Sequence, residues 1–316
     1  MRIGDFLGKR YFIIILVSVA IYSSFLFFSD FDILYSGLQN FQLSSVTIIL
    51  LVISASWMVL FGRWYILLNK HGIKIPIKTN LLVFFSGFTL SISPVKSGEL
   101  IKSFFLKNKC GIPATKTVPI IFLERFYDII GTAAVASIGV TFLGFELGIV
   151  LILIPITIIG LFYLFYTQIG FTLTLKIINR IKFVNKFSNN IKESHEIIRN
   201  SSDKKIMTAS TGLTILWRLI EGLAILLILQ VFGIDFIEFL NLISMYSASV
   251  ILGAITLSPG GLGVTEGSFA GLLTLHGLDL QTTLALAIFV RFFTLWFGLI
   301  IGFISLKILG QINPDE

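Results

Sequence analysis

Apolar runs of about twenty residues recur from one end of the chain to the other, and no other feature restricts its fold as much. They lie at roughly 11–28, 46–68, 79–92, 115–143, 146–168, 208–232, 237–257 and 281–306. Most approach the about 20 residues that a helix needs to cross a bilayer. Two shorter apolar stretches, 100–106 and 267–278, each follow a break rich in glycine or proline. Charged residues make up 13% of the 316, and mean hydropathy is +0.94, whereas soluble domains carry about 25% charged residues. The fold class is therefore an all-α polytopic membrane protein. Residues 1–316 form a single transmembrane domain with no room for a separate soluble one. The first run follows Arg2, Lys9 and Arg10, and no small-residue cleavage site comes after it. It reads as a transmembrane helix rather than a leader.

The net charge of +7 would fit a nucleic-acid partner, but its placement points elsewhere. Lys70, Lys74 and Lys78 follow the second run, and Lys96, Lys102, Lys107, Lys109 and Lys116 surround the first break. Eight more basic residues lie between 169 and 207. The segments 29–45, 233–236 and 258–280 contain none and carry Asp30, Asp32, Asp235, Glu266 and Asp279. This is the positive-inside pattern. It works if 79–106 dips in and returns on the cytoplasmic side while 237–278 dips in from outside. The expected architecture is about six full transmembrane helices plus two re-entrant helical hairpins. The chain would lie in the cell membrane as a multi-pass protein with both termini cytoplasmic. Residues 169–207 mix Phe171, Leu175, Ile178 and Phe187 with Lys and Arg, as an amphipathic cytoplasmic linker on the membrane surface would. Arg63, nearer the cytoplasmic end of its run, is expected to snorkel. Cys110 is the single cysteine, and His71, His195 and His276 are scattered loop residues. No metal or other cofactor is expected.

The two breaks resemble each other. The first reads LSISPVKSGELIKSFF (Leu90–Phe105) and the second ITLSPGGLGVTEGSFAGLL (Ile255–Leu273). Each has Ser-Pro, a glycine turn, a glutamate and a short apolar helix, and a long run with an intramembrane arginine follows. Pro94 stands 31 positions before Arg125 and Pro259 stands 32 before Arg291; the Glu99–Arg125 and Glu266–Arg291 spacings are 26 and 25. The expected repeats cover about 79–143 and 237–306, and the three spans between the hairpins invert the second copy. Inverted repeats with broken helices near the midplane are a construction of many secondary transporters. Serine before proline suits a helix N-terminus. Gly98, Gly260, Gly261 and Gly263 let backbone approach a ligand or another helix closely. Gly263, Gly267 and Gly271 also read as a small-residue packing ridge.

Arg125, Arg218 and Arg291 lie near mid-depth, where an arginine costs about 2.5–3.5 kcal/mol on insertion scales. Arg125 has Glu124 beside it and Asp128 three residues on; Arg218 has Glu221 three residues on. Arg291 has no nearby acid, so Glu266 or Glu99 is its expected partner. Arginines, Lys96 and helix N-termini around one cavity favour an anion such as phosphate. Pro94, Lys96, Gly98, Glu99, Glu124, Arg125, Asp128, Arg218, Glu221, Pro259, Gly260, Gly261, Gly263, Glu266 and Arg291 are the candidate substrate-binding residues.

SPVKSGELIKSFFL, LERFYDIIG and SPGGLGVTEG resemble the signatures of the lysylphosphatidylglycerol synthase transmembrane region family, also called the flippase-like domain. The resemblance covers about residues 10 to 306. In the larger members this domain moves an aminoacylated phospholipid, and a cytosolic aminoacyltransferase domain follows it. This chain stops at Glu316, so the resemblance implies the transport half without the synthetic half. Some archaeal relatives are tied to lipid-carried sugars, which keeps the substrate open between a phospholipid and a polyprenyl-phosphate-linked lipid.

Three functions compete at this point. A flippase-type lipid transporter comes first, a membrane-embedded transferase acting on lipid second, and a transporter of a small soluble anion third. Diphosphate chemistry on a metal usually draws on clustered aspartates, and no D-x-x-D pair occurs in the chain. The expected partners are membrane lipids and no nucleic acid, with a homo-oligomer and a separate lipid-modifying enzyme left open.

Overall fold

The computed structural model describes residues 31–93, 98–139, 195–200, 203–256 and 258–311, with scattered positions between 149 and 172. The helix expected over 11–28, both termini and most of 146–168 and of the linker 169–207 lie outside the described residues, as do Pro94 and Lys96. The protein is an all-helical membrane protein, with no strand among the described residues.

The helices run in this order. Phe31–Asn40 (α1) leads into Leu43–Lys70 (α2). Ile77–Ser86 (α3) ends in a 3-10 turn, Gly87–Leu90, before the first break. Ile101–Cys110 (α4) and Ala114–Ile138 (α5) follow it. Later come Lys204–Val231 (α6), Phe239–Ile255 (α7) and, past the second break, Val264–Leu275 (α8). Leu280–Arg291 (α9), a π turn at Phe292–Trp296 and Phe297–Gln311 (α10) make one continuous helix. Among the described residues three helices, α2, α6 and the 32-residue Leu280–Gln311, are long and apolar enough to cross a membrane. The 25 residues of α5 span about 37 Å at 1.5 Å per residue, but carry Glu124, Arg125 and Asp128. The helices flanking each break, Ile77–Leu90 and Phe239–Ile255, are shorter.

Local chemistry sets several ends. The Asp203 carboxylate accepts the Ile206 N–H and starts α6; Asp279 accepts the Thr282 N–H and starts α9. These are N-caps that satisfy orphan helix donors. Lys204 and Lys205 therefore belong to α6, and the linker expected to run to 207 ends before them. Residues 31–40, between the first two apolar runs, are helical.

Packing divides the bundle lengthwise into two cores. One joins the N-terminal half of α2 (Ile49, Ile53) to the C-terminal half of α6 (Ile225, Ile228) and to Met245, Phe269 and Leu286 of the second hairpin region. The other joins the C-terminal half of α2 (Trp64, Leu67) to Phe84, Leu106 and Ile120 of the first, and to Trp217 of α6. The first hairpin thus packs at one end of α2 and the second at the other. The helix 280–311 ties them together: α9 packs on α8, whereas α10 packs on α3 and its 3-10 turn. The π turn is the joint between these two halves. A Cβ at Gly302 would lie 2.4 Å from the Thr89 backbone nitrogen, so that crossing requires glycine.

Candidate functional site

At the first break the chain stops being helical, and side chains take over its orphan groups. Ser93 Oγ donates to the Leu90 carbonyl at 2.6 Å and accepts the Gly98 N–H at 2.6 Å. A Cβ at Gly98 would stand 2.0 Å from Leu90 Cβ, so only glycine closes this loop. Gly98 in turn delivers Glu99 to the interior, where its carboxylate is buried.

Glu99 enters a cluster of six charges. Its Oε2 is 2.9 Å from Arg125 Nη2 and 3.3 Å from Lys102 Nζ. Lys102 reaches on to Glu124 at 2.5 Å, and Arg125 reaches Asp128 at 2.8 Å. Arg63, from α2, closes the cluster at 2.7 Å from Asp128 and 3.9 Å from Glu124. It also donates to Thr214 Oγ1 at 2.6 Å on α6. Three cations face three carboxylates, so the cluster is neutral. The elements holding it are α2, α4 and α5, which pack around Trp64, whose ring lies 4.4 Å from Lys102 Nζ.

One expectation changes here. Arg63 does not snorkel: its side chain is 0% exposed, because Asp128 meets it inside the bundle. Lys102, counted from sequence only among the basic residues around the first break, is 1% exposed. Glu124 pairs with Lys102 and Arg63, while Asp128 and Glu99 hold Arg125. Of the cluster's three cations, Arg125 keeps the most surface, 20% of its side chain.

The second break is built differently. Gly260, Gly261 and Gly263 have φ of 63°, 72° and 80°, left-handed values that favour glycine. Ser258 makes no side-chain cap; its hydroxyl donates to the Leu262 carbonyl at 3.2 Å. The helix starts later, at Val264 behind Gly263, because three left-handed glycines hold the chain non-helical past Pro259. Glu266, in the first turn of α8, accepts from Arg291 Nε at 2.7 Å. Arg291 Nη2 donates to the Gly260 carbonyl at 2.5 Å, so one guanidinium satisfies both the buried acid and the broken backbone. The π turn begins at the next residue.

The two breaks touch. A Cβ at Gly260 would lie 3.2 Å from Ile92 Cα, one residue from Ser93. The glycine ridge is not spent on packing inside the chain: Gly267 and Gly271 are exposed, and a Cβ at Gly271 would meet nothing within 4 Å. A third pair stands apart on α6, where Arg218 reaches Glu221 at 2.5 Å, Thr132 Oγ1 on α5 at 2.9 Å and the face of Trp217. His195, expected in a loop, is buried and stacks on Phe171 with centroids 3.7 Å apart.

The sequence profile of the lysylphosphatidylglycerol synthase TM region matches residues 15–302. The chain belongs to this family. It is also similar to a UPF0104 membrane protein of Methanocaldococcus jannaschii, with 26% identity over 230 residues, which is 71% of this chain and 92% of that protein. In this member of the lysylphosphatidylglycerol synthase TM family, both glutamate–arginine pairs and the contact between the breaks fall inside the matched region. So do Arg63, which was expected to snorkel, and Lys102, which was not among the candidate site residues. One signal for Arg63 was present: like Arg291, it has no acidic residue within four positions on either side, as VLFGRWYIL displays. A cation so placed needs an acid from another element.

Proposed function

We propose that this protein is a flippase-type transporter that carries an anionic phospholipid or a polyprenyl-phosphate-linked lipid across the cell membrane through a midplane site. The observation that carries the reading is the meeting of the two breaks, Gly260 on Ile92, each backed by a glutamate–arginine pair to the next long helix. Irregular backbone at membrane depth is tolerated where it is buried in protein or lines a cavity. Paired broken helices are how many transporters place a substrate between inverted repeats. The packing of the hairpins at opposite ends of α2 supports that inversion. Arg125 is the proposed contact for phosphate, with Gly98, Gly260 and Gly261 at the two breaks; Lys96, a candidate from sequence, lies outside the described residues. Arg291 and Glu266 brace the site at the second break.

The topology in this reading has its own test. Cys110 should react with a membrane-impermeant thiol reagent from the cytoplasmic side only. In a Cys110→Ser background, a cysteine replacing Leu278 should react only from outside. Labelling of both from one side rules out the inverted hairpins.

Transport is tested in liposomes holding the purified protein, with fluorescent-acyl phosphatidylglycerol or a labelled polyprenyl phosphate. Wild type should move lipid between leaflets, and Arg125→Ala should abolish the movement. Arg125→Lys should restore only part, because an ammonium lacks the bidentate fork that fits phosphate. Lys70→Ala, an exposed pair with Asp203, should change little. Formation of a lipid-linked product from an activated donor, with no lipid movement, would replace this reading with the transferase one.

A further inference from the structure

Arg218 and Glu221 stand apart from the first-break cluster, where three helices crowd together. A Cβ at Gly131 would lie 2.5 Å from Thr214 Cγ2, and one at Gly222 would lie 2.5 Å from Ile243 Cδ1. Glycine at these two positions lets α5 and α7 close on α6. Arg218 Nε donates to Thr132 Oγ1 on α5 at 2.9 Å, Nη1 meets Glu221 Oε2 at 2.5 Å, and the Trp217 ring covers the guanidinium at 4.0 Å. Arg218 Nη2 and Glu221 Oε1 take no part in these bonds. The pair is not sealed either: the two side chains keep 5% and 7% of their surface.

A further unspent group lies level with the pair. α6 and α7 are joined by the short connection 232–238 and so run antiparallel. Gly222 meets Ile243. One turn back on α6 is Arg218, and one turn on along α7 is Ser247, so the two stand opposite each other. Ser247 is fully buried, and its Oγ has no hydrogen-bond partner. Buried polar groups are seldom left unmet. The residue before it, Tyr246, donates to Thr294 Oγ1 in the π turn at 3.4 Å, which ties this place to the second break.

The unspent groups define what fits. Arg218 Nη2 only donates, Glu221 Oε1 only accepts, and Ser247 does either. A phosphate offers acceptors alone and would face the Glu221 carboxylate. An ammonium offers donors alone and would face Arg218. A hydroxyl offers both. We propose that Arg218, Glu221 and Ser247 form a second subsite that recognises hydroxyl groups of the lipid headgroup, so that the protein selects a glycerol- or sugar-bearing lipid over one that carries phosphate alone. This rests on the transport reading above. Thr132, the α5 partner of Arg218, is seven residues past Arg125, about 10 Å along the helix and, after nearly two turns, on the same face. A headgroup with its phosphate at Arg125 and its hydroxyls extended along α5 reaches Arg218.

The test compares two lipids of equal charge. Phosphatidylglycerol and phosphatidylmethanol are both singly charged phosphodiesters, but only the first has free headgroup hydroxyls. Binding of their dihexanoyl forms to full-length protein in detergent is read by calorimetry, and movement of their fluorescent-acyl forms is read in liposomes. Wild type should favour phosphatidylglycerol about tenfold or more, as sites that hydrogen-bond a hydroxyl do. Ser247→Ala, which removes only one small buried hydroxyl, should cut that preference severalfold. Arg218→Met/Glu221→Gln should abolish it. A polyprenyl phosphate with and without one attached sugar repeats the contrast for the other carrier, and a preference of that size in either pair supports the subsite. Equal handling of both members of each pair by wild type overturns the proposal: the pair then faces water only, and the transport reading stands. That comparison needs no variant to fold. A double variant that binds both lipids more weakly but keeps the preference also overturns it, because Arg218 and Glu221 are then a structural brace. If wild type moves none of these lipids the transport reading falls, and the binding comparison in detergent still decides the subsite.

Discussion

Replacing Arg63 by methionine should cost this protein most of its folded population. Arg63 is fully buried, holds Asp128 at 2.7 Å and Thr214 at 2.6 Å, and stands 3.9 Å from Glu124. Its removal leaves three carboxylates facing two cations in the cluster. Breaking one side of a buried pair typically costs about 3–5 kcal/mol, because the remaining charge is stranded. The loss should appear as a lower melting temperature and aggregated protein on size exclusion in detergent. Asp128→Asn alone leaves the opposite excess and should also destabilise. The double variant Arg63→Met/Asp128→Asn is neutral again, with Lys102 and Arg125 facing Glu99 and Glu124. It should recover well over half of the loss. If the two losses simply add, charge balance is not what Arg63 provides, and its contact with Thr214 or its packing is.

Much of this architecture was legible from residue order alone. Apolar length located the long helices, because a bilayer demands it. Ser-Pro with glycine located both breaks, since proline and glycine punctuate helices for local steric reasons. Arg218 and Glu221 were legible as a pair because three residues on a helix bring side chains together. Spacing offered Glu266 to Arg291 as one of two acids, and the structure joins them at 2.7 Å.

What was not legible depended on tertiary approach. Arg63 looks like a snorkelling residue when its position along one helix is the only guide; its partner comes from a helix that starts 51 residues later, at Ala114. Lys102 was counted only among the basic residues around the first break, and α4 turns it inward against Glu124. The Ser258 cap failed because three left-handed glycines delay the helix. The π turn after Arg291 has no sequence signature in FFTLW; it lies where packing of α9 on α8 gives way to packing of α10 on α3. In each case a residue's local context was read correctly and its neighbour in space was not available to be read.

Arg291 offers the sharpest separation of structure from transport. Arg291→Ala should abolish lipid movement and reduce folded yield, since it strands Glu266, 1% exposed on its side chain, and releases the Gly260 carbonyl. The two consequences are separable. In Arg291→Met/Glu266→Gln neither buried charge remains, so folding should return close to wild type, as buried pairs replaced by neutral groups of similar size often allow. Movement of labelled phosphatidylglycerol should stay lost, because nothing then holds the Gly260 carbonyl where the second break meets Ile92. Arg291→Lys, which keeps a charge for Glu266 but lacks the guanidinium's several donors, should fold and move lipid far more slowly than wild type. The deciding measurement is the rate in liposomes, normalised to monodisperse protein. A double neutral variant that transports at the wild-type rate would make the Glu266–Arg291 pair a packing element only, and would remove the second break from the site.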